Sequence, residues 1–102
     1  MKKLITIVLA LAGIETLLSF NVSQADINQY IDTLDPKKKV QASFNFLSRT
    51  VDTGDREKFE QVALEEGVPR GTVILTVFGE VFQQFGGDIE VSVKKPSDTQ
   101  NS

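Results

Sequence analysis

The sequence predicts a mostly α protein: a small bundle of three to four short helices with one short C-terminal β-strand, after an N-terminal apolar, signal-like helix. Three observations predict it. Apolar residues recur at three- and four-residue steps through much of the chain. Asp35-Pro36, Thr53-Gly54-Asp55, Gly67 and Gly86-Gly87 punctuate those stretches as helix starts and stops. Alternation without a competing helical reading is confined to residues 89–94.

The N-terminus reads as an address. Met1-Lys2-Lys3 is a short basic start, Leu4 to Ile14 is an apolar run, and Ser23-Gln24-Ala25 places small residues where a signal peptidase reads. Residues 1–25 are therefore expected to be a signal peptide, with residues 26–95 as a small helical domain and 96–102 as a disordered tail. Glu15 interrupts the apolar run, which Leu17-Leu18-Ser19-Phe20 resumes. Two alternatives stand beside cleavage: an uncleaved membrane anchor over residues 4–20, short for a span of about 20 residues, and a first helix of a cytoplasmic protein. The favoured location is exported, periplasmic or secreted.

Asp26 is expected to cap a helix in which Ile27, Tyr30, Ile31 and Leu34 share one side. Asp35-Pro36 ends it and starts the next as an N-cap with proline at the first helical position. There Val40, Phe44, Leu47 and Val51 recur with helical spacing, yet Val40, Ala42, Phe44 and Phe46 also alternate as in a strand. The helix is favoured, because three lysines precede it and are poor strand residues. Arg56 to Glu66 reads as a third helix presenting Phe59, Val62 and Ala63, with Gly67 in the left-handed position beyond it. Val68-Pro69 opens a fourth, which Gly86-Gly87 ends. Its face of Val73, Ile74, Val77, Phe78, Val81 and Phe82 is broader than two short neighbours would cover, which points to self-association. Ile89, Val91 and Val93 alternate with Glu90, Ser92 and Lys94, and such a strand needs residues 40–46 or a second molecule to pair with.

Removing residues 1–25 would leave 77 residues with a net charge of about −4, an unpromising grip on nucleic acid. There is no cysteine, histidine or tryptophan, which removes disulfides, the usual zinc ligands, the commonest base and the best nucleophile. No catalytic, cofactor or metal residues are nominated, and no cofactor is expected. Asp52, Asp55 and Glu57 cluster without calcium-loop spacing and read as a helix start. Lys37-Lys38-Lys39 reads as a solvated turn, and Asn21-Val22-Ser23 matches a glycosylation acceptor within the removable segment.

Residues 39–85 resemble the ribbon-helix-helix family of bacterial DNA-binding proteins. The strand would be Val40 to Phe46, the first helix Arg56 to Glu66, the turn Gly67-Val68-Pro69-Arg70 and the second helix Thr72 to Phe85. The resemblance implies a dimer whose paired strands enter the major groove. Gln41, Ser43 and Asn45 would then touch bases, and the helix start at Gly71 and Thr72 would contact phosphate. The expected function is a non-enzymatic exported binding domain whose partner is a protein or a second copy. A DNA-binding regulator is the alternative, with nucleic acid a partner only there and membrane a partner only if residues 4–20 stay uncleaved.

Overall fold

The computed structural model describes residues 1–86. It opens with a β-hairpin. Strand β1 (Lys2–Leu11) pairs antiparallel with β2 (Ile14–Ser23) along their full length, setting Ile5 opposite Phe20, Ile7 opposite Leu18 and Lys3 opposite Val22. Ala12 and Gly13 make the two-residue turn, with φ of 53° and 80°. Two successive positive φ values match the right-handed twist of the strands they join. Gly13 adopts its value freely, whereas Ala12 pays a steric cost there.

Four helices follow. Helix α1 (Gln24–Thr33) leads through a 3-10 turn (Pro36–Lys38) into α2 (Lys39–Thr50). A second 3-10 turn (Thr53–Asp55) leads into α3 (Arg56–Ala63). A two-rung ribbon, β3 (Leu64–Glu65) and β4 (Val68–Pro69), turns at Glu66-Gly67, and α4 (Gly71–Phe85) completes the described chain. Helix α4 packs on β1 and α2, while α1, α2 and α3 all touch β2. The helices therefore cover one face of the hairpin. The core on that face joins Ile5, Ile7, Leu18, Phe20 and Val22 to Phe46, Leu47, Phe59, Ile74, Val77 and Val81. Tyr30, Phe46, Phe78 and Phe82 form one aromatic cluster, with Tyr30 and Phe78 ring centroids 4.5 Å apart.

The expected fold class needs correction at its first element. The N-terminal apolar run is no helix but β1, its turn and the start of β2. A helix apolar on all sides has nowhere to go in so small a domain, whereas an extended chain sends alternate residues to opposite faces. Odd residues of β1 face the helices, and Glu15 is exposed opposite Ala10. Among the described residues no helix is long and apolar enough to cross a membrane.

Other boundaries shift for local reasons. The α1 cap is Ser23, whose hydroxyl accepts from the Asp26 N–H at 3.1 Å while the Asp26 carboxylate accepts from the Ser23 N–H at 2.9 Å, a reciprocal box. Helix α3 stops at Ala63, because the positive φ of Glu66 and Gly67 builds the ribbon rather than a helix end. Val68-Pro69 belongs to that ribbon, and α4 begins at Gly71. Residues 40–46 are helical, so the strand alternative for them is overturned. The expected strand at 88–94 and the tail at 96–102 lie outside the described residues.

Candidate protein-binding surface

One face of the hairpin lies on the core and the other faces outward. The outward residues of β1 are Lys2, Leu4, Thr6, Val8 and Ala10, opposite Ser23, Asn21, Ser19, Leu17 and Glu15. Leu4, Val8 and Leu17 are 60%, 59% and 55% exposed, and Val8 stands directly opposite Leu17. Thr6 and Ser19 form a polar rung between them, their hydroxyl oxygens 2.9 Å apart. At the turn end, Ile14 is exposed as well. Large side chains left in water on one flat, regular surface mark a place where another molecule docks.

This surface is held rigidly from behind and from one side. Along the outer edge of β2, the Ser19 N–H donates to Asp55 Oδ2 at 2.9 Å, and the Ser19 carbonyl accepts from the Asp52 N–H at 2.8 Å. Asn21 Nδ2 donates to Asp52 Oδ1 at 3.1 Å, and Phe20 bridges to Val51. The α2–α3 connection thus serves as a short stand-in for a third strand. The hydrogen bond and charge of Lys58, together with the Ser19 N–H, hold the Asp55 carboxyl below the usual range. At Asp26 burial pushes the other way, but the Ser23 donors, with Lys2 and Arg49 nearby, outweigh it and lower the pKa. The acidic cluster read as a helix start is therefore, for Asp52 and Asp55, the clasp on β2.

The residues nominated from sequence fall elsewhere. Ile74, Val77, Phe78 and Val81 are buried within the single chain, and Val73 and Phe82 pack against the same core. The broad face of α4 meets β1 and α2 rather than solvent. Gln41 and Asn45 are exposed one helical turn apart on α2, joined by a hydrogen bond of 2.9 Å. Ser43 is buried, its hydroxyl 3.2 Å from that of Tyr30. Thr72 is exposed at the start of α4. These four residues share no strand face. Val22, within the glycosylation match, is fully buried. A shallow cleft between α1 and α2 is lined by Tyr30, Ala42, Phe46, Asp35, Lys38 and Arg49. It mixes both charge signs and gathers no catalytic set. Among the described residues no three acidic side chains meet as a metal site.

The outer hairpin face was hidden in the sequence. Residues 4–11 are apolar at nearly every position, so the period of two has no contrast to reveal it. The signal that could have found it is a pair of ten-residue runs, rich in Ile, Thr and Val at one end, separated by two residues ending in glycine.

The sequence model of a family described as phage tail assembly chaperone matches residues 6–95. That match runs from Thr6 within β1 through all four described helices, and it overturns the resemblance to ribbon-helix-helix proteins. No curated protein and no solved structure matches the chain. A chaperone family points to an interaction role of the assembly-helper kind.

Proposed function

We propose, because the chain belongs to the phage tail assembly chaperone family, that it is a non-enzymatic helper that holds another tail protein against the outer face of the hairpin during assembly. The observation that carries this reading is the row of Leu4, Val8 and Leu17 on a pinned, regular sheet face. A helper must release its client, so its contact surface has to be presented in the free protein and be modest in area. Three exposed apolar side chains beside the Thr6–Ser19 rung meet both conditions. Each such side chain, if buried by a partner, contributes about 1.5–3 kcal/mol before the losses of association are subtracted.

The reading keeps residues 1–25 in the working protein, since Ile5, Ile7, Leu18, Phe20 and Val22 are core. Intact mass of the protein made in its own cells tests this part, and a mature start at Asp26 overturns it. The client part is tested with individually purified proteins of the same phage tail. One of them is expected to bind the full chain, and Val8→Asp with Leu17→Asp to weaken that binding about tenfold or more while the circular dichroism spectrum is kept. Equal affinity of the double variant would remove the hairpin face from the proposal.

A further inference from the structure

The outward face of the hairpin carries opposite charges at its two ends. Its first rung is Lys2 opposite Ser23, and its last is Ala10 opposite Glu15. Lys2 and Glu15 are both exposed. Eight residues of extended chain, about 27 Å, separate the two rungs, so the two charges cannot meet within one copy. Between them lie Leu4 opposite Asn21, then Thr6 opposite Ser19, then Val8 opposite Leu17. Read from either end, the order is a charge, a large apolar side chain, a hydroxyl pair, a large apolar side chain and a charge of the other sign. A surface patterned in this way is complementary to its own copy turned end for end, the condition for a two-fold interface.

We propose that a second copy of the chain covers this face in the free protein and competes there with the client, an inference that rests on the client reading above. The two-fold axis passes through the Thr6–Ser19 rung and runs across the strands. Thr6 and Ser19 of the two copies then meet at the centre, where four hydroxyls satisfy one another. Leu4 of each copy faces Val8 and Leu17 of the other. Lys2 of each copy faces Ala10 of the other, and that small side chain leaves it room to reach Glu15 beside it. The area argues for a weak pairing. Two ten-residue strands present about 330 Å² per copy, against about 800 Å² per partner in a stable interface. Such a dimer shields Leu4, Val8 and Leu17 when the protein is concentrated and opens when a client offers a better fit.

Sedimentation equilibrium of the full chain, with no tail protein present, tests the pairing. A reversible monomer–dimer equilibrium is expected, with a dissociation constant of about 0.1–1 mM. Lys2→Glu alone and Glu15→Lys alone are each expected to weaken it about fivefold or more, because each sets like charges together at both ends of the interface. An equimolar mixture of the two variants is expected to restore the wild-type constant, since both ends then carry opposite charges again. Mixing repairs neither a folding defect nor the loss of Lys2 from beside Asp26. A chain that stays monomeric up to about 1 mM would overturn the proposal, as would a mixture that pairs no better than the single variants. A tail protein bound to the hairpin face is expected to hold the chain as a monomer, and a complex containing paired chains would overturn the competition. The two readings fail differently: the client reading when no tail protein binds, the pairing when no dimer forms.

Discussion

The hairpin and helix α4 are the most apolar stretches of the described chain, and they place that surface in opposite ways. Helix α4 turns its broad apolar face inward, onto β1 and α2, and leaves Thr72, Thr76 and Glu80 outside. The hairpin splits its apolar residues between two faces, one filling the core and one meeting water. The width of an apolar helix face therefore says little about what is free to bind. What matters is whether the fold supplies a second layer, and among the described residues helices lie on one side of the sheet only.

The sharpest test of that contrast is to remove the hairpin. Without residues 1–25 the core loses Ile5, Ile7, Leu18, Phe20 and Val22, each contributing about 1.5–3 kcal/mol of burial. The sum reaches the whole stability of an ordinary domain, about 5–15 kcal/mol. The expected outcome is a chain with no cooperative thermal transition by circular dichroism. A folded 26–102 fragment would break the comparison by making the hairpin an appendage.

Single core truncations come next. Phe20→Ala and Phe78→Ala are each expected to cost about 3–5 kcal/mol in urea unfolding. Phe20 meets Phe59 edge to face at 5.9 Å, and Phe78 lies among Tyr30, Phe46 and Phe82. Equal costs would show that the sheet side and the helix side are one cooperative core. A mild effect at Phe20 alone would show that the hairpin opens independently.

The clasp on β2 gives a smaller effect with a pH signature. Asp55→Asn weakens the acceptor for the Ser19 N–H and removes the charge paired with Lys58, and is expected to cost about 1 kcal/mol at neutral pH. Asp55 and Asp26 have lowered folded pKa values, so their stabilisation is present above the ordinary aspartate value of about 4. It is lost as pH falls through their folded values, because the unfolded chain then binds more protons. Urea midpoints measured from pH 6 down to 2 are expected to fall, and to fall less steeply in Asp55→Asn. Unchanged acid sensitivity would place it at other carboxylates.

The smallest expected effect on stability is at Leu17. Leu17→Ser on the outward face is expected to shift folding by less than about 0.5 kcal/mol, while weakening the binding of a tail protein. A large loss of stability would mean that the outer face is already covered in the free chain.

Much of the helical half was legible in the sequence. Val40, Phe44, Leu47 and Val51 mark α2, and Phe59 with Ala63 marks α3, since surface helices show polar contrast on their other sides. The hairpin was not legible because its two faces are both apolar along β1, and because Ala12-Gly13 lacks the usual asparagine or aspartate before glycine. The same difficulty hid the candidate site: Leu4 and Val8 are chemically like the buried Ile5 and Ile7 beside them. Asp52 and Asp55 were misjudged for another reason. Their partners Ser19 and Asn21 lie more than 30 residues away, beyond the reach of any local pattern.

Helix α4 packs on β1 from the far end of the described chain, and the bond from Lys3 to Gln84 joins residues 81 positions apart. On the ribosome this has a direction. The hairpin pairs locally and is ready as soon as residues 1–23 emerge, but the helix that shelters β1 is the last of the described elements to be synthesised. Until Gly71–Phe85 has cleared the exit tunnel, Ile5 and Ile7 have no cover over them. A chain broken off before that point would leave β1 bare on both faces while α1 to α3 cover only β2, so arrest there is expected to yield aggregating fragments rather than partly active ones.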